Sequence, residues 1–169
     1  MSLPRIDTMG IHQTLEVATG WLELGLADEA LIELESIRGD VKTSRDVLEI
    51  KLEAQMVDEQ WNSASETARI LCIKASDEPK FFLHAAFCLH ETGDTLAACN
   101  WLMRGPRSLH HMAIFHYNIA CYLWTLGQGR RAKSHLHIAI SMDEELIEVA
   151  RADCDLFGIG PIPSRLPRA

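Results

Sequence analysis

Small and apolar residues along this chain recur at one long interval. Ala30, Ala64, Ala98 and Ala132 stand thirty-four residues apart. Twelve residues before them lie Ala18, Leu52, Ala86 and Ala120, and four residues after them lie Leu34, Ala68, Leu102 and Leu136. Five residues before three of the alanines sits a glycine, Gly25, Gly93 or Gly127; the second copy has Glu59 there. A period of this length signals a stacked array of supersecondary units. Two small positions with a glycine between them suit two closely packed antiparallel helices joined by a left-handed turn.

The pattern predicts helix pairs at 11–24 and 28–38, 44–58 and 61–73, 79–92 and 95–104, and 109–126 and 129–141. Asp28, Ser63, Asp94 and Ser108 are the expected helix starts. Gly105-Pro106 should cut the third unit's second helix short. In the second unit the large and small partners exchange places, Leu52 with Ala68, which conserves volume. Leu52 is therefore expected inside its helix pair. Residues 143–157 read as a capping helix, with Asp143, Glu144, Glu145 and Glu148 toward its positive end. Gly158 to Ala169 read as a proline-rich extended tail. Strict alternation is missing throughout, so the fold class is all-α. The expected organisation is one domain over 1–157, with units at about 11–44, 45–78, 79–112 and 113–142.

The fourth unit runs Tyr117-Asn118-Ile119-Ala120-Cys121-Tyr122, then Leu126-Gly127, Ala132, Leu136 and Ala139. The first has Trp21, Leu24-Gly25, Ala30, Leu34 and Ile37; the third has Ala85-Ala86, Gly93-Asp94, Ala98 and Leu102. The second keeps Ala64 but loses the glycine and gains Leu52. Over residues 11 to 145 this closely resembles the tetratricopeptide repeat. The resemblance implies a right-handed α-solenoid of four helix-turn-helix units. It implies a non-enzymatic scaffold that docks a peptide or a partner helix in a concave groove lined by the first helix of each pair. The stretch from Glu78-Pro79-Lys80-Phe81-Phe82 through His84-Ala85-Ala86 to Gly93-Asp94 also looks like bacterial type III secretion chaperones, a secondary reading that covers one unit.

Carried over by register, the groove of the first two units holds Glu16, Glu23, Asp46, Glu49 and Glu53, with Met56 beside them and no Lys or Arg. In the last two it holds Leu83, His84, Phe87, His90, Tyr117, Asn118, Cys121 and Trp124. The expected partner is a protein or peptide with basic residues toward the first end and apolar anchors toward the second. Phe87, Tyr117 and Trp124 are the expected anchor contacts. Against this stands the ordinary alternative of a solvated acidic face and partly buried aromatics. Some tetratricopeptide proteins clamp a carboxylate with lysine, asparagine and arginine. Asn118 matches one such position, but Glu16, Ile50 and His84 occupy the others, so that mode is rejected.

Composition narrows the partner further. The formal charge is −8, which disfavours nucleic acid and anionic membranes. No apolar stretch is long enough to span a bilayer, and without a basic region followed by an apolar core at the N-terminus no secretory signal is expected. Five scattered cysteines, an odd number, indicate a reducing, cytoplasmic setting. Self-association through an apolar face remains an alternative.

Other chemistry has weaker support. His84, Cys88 and Cys121 form the alternative metal or thiol site. His110, His111 and His116 cluster before the fourth helix pair, while His135 and His137 face different ways. Neither CxxC nor HExxH occurs, so no cofactor is expected. Gly127-Gln128-Gly129-Arg130-Arg131 could meet a phosphate, but no strand precedes it. Asp153 and Asp155, flanking Cys154, read as a helix terminus. A catalytic triad rests on geometry that spacing does not supply, and no enzyme is expected.

Overall fold

The computed structural model describes residues 8–160, of which 8 and 9 are described in backbone only. The architecture is all-α, with nine α-helices, three short 3-10 helices and no strand among the described residues. The chain divides after Lys74 into two compact units. In the first, α1 (Thr8–Glu23) pairs with α2 (Ala27–Glu35), and α3 (Arg45–Val57) pairs with α4 (Trp61–Lys74). Helix α3 also packs on α1 and α2. In the second, α5 (Pro79–Glu91) pairs with α6 (Thr95–Met103), and α7 (Ala113–Thr125) pairs with α8 (Gly129–Met142). Helix α7 packs on α5 and α6, and α9 (Leu146–Ala152) follows against α8.

All four pairs are joined by the same reversal. Gly25, Gly93 and Gly127 have φ of 74°, 86° and 73°, and Glu59 takes the same left-handed region at 54°. In each turn the N–H of the left-handed residue donates three residues back. The next N–H donates five residues back: Leu26 to Trp21, Gln60 to Gln55, Asp94 to Leu89, and Gln128 to Leu123. This is the Schellman arrangement, which satisfies the carbonyls a helix end leaves open. The carbonyls of Leu26, Gln60, Asp94 and Gln128 then accept the N–H groups of Ala30, Ala64, Ala98 and Ala132. The residue that closes one helix thus opens the next.

Three of the expected helix starts are corrected, two of them by that economy. Of the four, only Asp94 caps, accepting the Ala97 N–H at 3.0 Å. Asp28 lies in the first turn of α2, whose N-cap is Leu26, and Ser63 lies inside α4. The reversal leaves no room for a separate capping residue downstream. Ser108 falls in a 3-10 helix, Arg107–His111, and α7 begins only at Ala113. Fully buried Leu109 pins that segment. A side chain at Gly105 would collide with Leu109 and crowd Phe82, so this glycine serves close packing rather than positive φ. Ser44 is an unforeseen cap, accepting the Val47 N–H at 3.4 Å.

The paired small positions form the core. Ala30, Ala64, Ala98 and Ala132 are all fully buried, as are Ala18, Ala86 and Ala120. Leu52 is 3% exposed and Ala68 is fully buried, consistent with the exchange of sizes in that pair. A buried hydrogen bond, Thr67 Oγ1 to Gln55 Oε1 at 2.8 Å, ties α3 to α4. In the second unit Leu102, Phe115 and Ile119 belong to the same buried cluster as Ala86 and Ala120.

The expected helix over 143–157 is broken. Asp143 ends α8 in an extended conformation, α9 spans only 146–152, and a 3-10 turn, Cys154–Leu156, follows Asp153. Asp153 Oδ1 accepts the Asp155 N–H at 2.9 Å, which starts this new turn. Ile159 is buried, so the first residues of the expected tail pack onto the fold. The remainder of that tail, 161–169, lies outside the described residues.

A left-handed residue costs an L-amino acid about 1–2 kcal/mol, offset in part by the entropy glycine loses on folding. Glu59→Gly should therefore raise stability by about 0.5–1 kcal/mol, and Gly127→Ala should lower it by about 1 kcal/mol. Urea unfolding followed by circular dichroism measures both. Equal effects of the two changes would contradict a shared turn geometry.

Candidate functional site

The residues proposed to line a groove divide by unit, and their settings differ sharply. In the first unit Glu16 and Glu23 on α1 and Glu53 on α3 are exposed, and Glu49 and Met56 are half-buried. Glu16 lies 3.3 Å from His12, and Glu49 lies 2.6 Å from Arg45, each one turn away on its own helix. Glu23 and Glu53 make no ion pair among the described residues. Helices α1 and α3 are neighbours, so these carboxylates are carried by two adjacent helices.

In the second unit the equivalent face is occupied by the chain itself. Helix α9 returns the chain to α7, and Asp153 places its carboxylate there. The Tyr117 hydroxyl donates to Asp153 Oδ2 at 2.5 Å, and the Cys121 thiol lies 3.8 Å from the same oxygen. His90 Nε2 lies 3.0 Å from Asp155 Oδ2. That carboxylate only accepts, so Nε2 carries a proton; with the ring neutral, the Thr95 hydroxyl donates to Nδ1 across 2.8 Å. The Trp124 indole N–H donates to the Phe157 carbonyl at 3.0 Å. Leu156 and Ile159 bury their side chains in the same core cluster as Tyr117 and Cys121.

This arrangement changes what the sequence implied about the anchors. Tyr117 and Cys121 are 5% and 4% exposed, so neither presents a free surface. Trp124 and His90 are half-buried and bonded to the docked segment. Phe87 is the exposed aromatic of the three expected anchors, while Leu83, His84 and Asn118 are half-buried. What sequence reading missed is the occupant. Asp153 and Asp155 were legible as a helix terminus, but nothing in their spacing showed that Tyr117 and His90 would receive them.

The electrostatics fit a structural clasp. Burial, reinforced by the bond to Asp153, pushes the Tyr117 phenol well above its ordinary range, so it stays a donor. Burial, with the charges of Asp153 and Asp155, also raises the Cys121 thiol. Cys88 is pushed up to about 11 by burial. A reactive thiol needs the opposite shift. Among the described residues, the three-residue group with metal-like spacing is Asp153, Cys154 and Asp155, not His84, Cys88 and Cys121. Gly129 lies under the Trp124 ring, where an added Cβ would stand 3.0 Å from the indole, which gives that glycine a packing role.

A second polar cluster joins α7 to α8. His116 is 9% exposed, and its Nδ1 lies 3.1 Å from His135 Nδ1. His116 Nε2 lies 3.2 Å from the His110 carbonyl, to which it donates. His116 Nδ1 is therefore the acceptor in the neutral ring, and His135 Nδ1–H is the donor. His137, two residues along α8, is exposed, as expected of histidines that face different ways.

No protein-family model matches the chain, and no curated protein matches it.

Two predictions arise here. Tyr117→Phe leaves the Asp153 carboxylate short of its strongest donor, at a cost of about 1–3 kcal/mol. Trypsin should then cut after Arg151 faster than in the wild type, read by mass spectrometry; unchanged cleavage would argue against the clasp. The second concerns pH. Burial first, then His116, Arg131 and His110, lower the His135 pKa below its ordinary value. The unfolded chain then binds the extra proton more readily. Stability from this group is fully present above about pH 6.5 and is lost as the pH falls below that value. His135→Gln should reduce the loss of urea midpoint between pH 7 and pH 5.5.

Proposed function

We propose that this chain is a non-enzymatic protein-interaction scaffold of tetratricopeptide type, a right-handed α-solenoid whose first-unit helices α1 and α3 dock a segment of a partner protein. The observation that carries this reading is the clasp in the second unit. There the inward register positions of α5 and α7 already hold a stretch of polypeptide by side-chain donors and buried apolar contacts. Of the same register positions on α1 and α3, Glu16, Glu23 and Glu53 are exposed.

Their chemistry selects the partner. Glu16, Glu23 and Glu53 offer exposed carboxylates, with Glu49 paired to Arg45, and Met56 and Leu22 on the same two helices are half-buried apolar side chains. A peptide or helix with spaced Lys or Arg and one or two apolar side chains fits this surface. Methionine adapts to varied apolar partners. The acidic face repels nucleic acid and anionic lipid. No described helix is long and apolar enough to cross a membrane.

Capture of partners on the immobilised full chain tests the reading. Glu23→Lys with Glu53→Lys should slow association of the captured partner by about tenfold or more, and the wild-type rate should fall with added salt. Trp124→Ala should leave association unchanged, because that indole serves the internal clasp. Binding that is indifferent to both salt and the charge reversal would overturn the assignment to α1 and α3.

A further inference from the structure

The His116–His135 contact contains two ligand-competent nitrogens that the scaffold reading does not use. We propose that these residues form a metal seat between α7 and α8 for a divalent transition ion of the zinc, nickel or copper class.

The argument starts from the tautomer. His116 donates its Nε2–H to the His110 carbonyl, so its Nδ1 lone pair faces the neighbouring helix. A metal-ligating histidine almost always uses its other ring nitrogen in this way, bonded to a carbonyl or carboxylate. His135 Nδ1 faces that lone pair at 3.1 Å. Two ligands on one tetrahedral ion, each bound at about 2.0–2.1 Å, stand about 3.4 Å apart. The separation is therefore close to that of a shared ion, and a proton fills it when no metal competes.

The rings meet nearly edge to edge, with centroids 5.2 Å apart and planes inclined by 33°. When the His135 Nδ1 proton leaves to solvent and its Nε2 takes up a proton in exchange, a modest rotation of that half-buried ring makes the two Nδ1 lone pairs converge on an ion. Burial favours the neutral imidazole that ligation requires. Imidazole pairs suit this class of ion rather than magnesium or calcium. His110 serves the seat through its carbonyl, which orients His116, while its ring lies on Phe115, 4.6 Å between centroids; water would fill the remaining positions of the shell. Arg131 contributes opposing charge, but its guanidinium is turned to Gln128 at 2.6 Å.

Zinc chloride and nickel chloride, titrated into the full chain without a histidine tag, test the proposal by calorimetry at pH 7.5. The expected result is one site per chain, with affinity at least about tenfold weaker in His116→Gln and in His135→Gln. His137→Gln, on the solvent side of α8, should bind as the wild type does. Affinity should also fall as the pH drops through the histidine range, because protons and metal compete for the same nitrogens. Circular dichroism confirms that each variant keeps its helices. Nitrogen-15 spectra of the wild type supply an independent measure, since zinc should move the Nδ1 resonances of His116 and His135. Binding that survives both substitutions, or a response at Nε2 alone, places the metal elsewhere and overturns the proposal.

Discussion

Each helix pair depends on a chain reversal completed within three residues. One residue must adopt a positive φ, and its N–H and the next must close the open carbonyls of the first helix. The following carbonyl then receives the N–H of an alanine with no exposed surface. If the left-handed step is lost, the second helix starts at a different angle and its alanine no longer faces the first helix. Glycine meets the requirement at three positions without steric cost. At Glu59 an L-residue is held there, and the buried contacts of Leu52, Ala68 and the Gln55–Thr67 bond offset its strain.

The second unit solves a further problem at its end. Helix α7 buries Tyr117 and Cys121, and buried polar groups need partners, although the neighbouring Tyr122 hydroxyl is buried without a hydrogen bond. Asp153 meets the first two, while Asp155 engages His90. The break in the capping helix is part of that solution. A helix continued through Asp153 would need its backbone carried onward in α conformation, whereas the observed extended residue starts a new turn that buries Leu156. The docked segment thus covers Tyr117 and Cys121, two of the positions expected to contact a ligand. Glu16, Glu23 and Glu53 on α1 and α3 are exposed.

Much of this was readable in the chain. The thirty-four-residue spacing located the helix pairs, the three glycines located their turns, and the Leu52–Ala68 exchange matched its buried pair. These features are local or nearly so, because a turn and the two helices it joins lie within one repeat length. Helix starts were less readable. Asp28, Ser63 and Ser108 have capping chemistry, but the geometry of the preceding turn or of buried Leu109 decided where each helix began.

The candidate sites divide along the same line. Carboxylates on the first-unit helices could be placed from register, since helical spacing alone puts them on one face. The partners of Tyr117 and His90 lie 36 and 65 residues away, and no period links them. His116 and His135 are likewise joined only because α7 and α8 pack together. The amino-acid sequence by itself determined the thirty-four-residue spacing, the all-α class and the acidic character of α1 and α3, because these follow from spacing and charge along single helices. Tertiary structure alone decided which polar groups meet and which aromatic side chains remain exposed. Those outcomes depend on where a distant segment comes to rest.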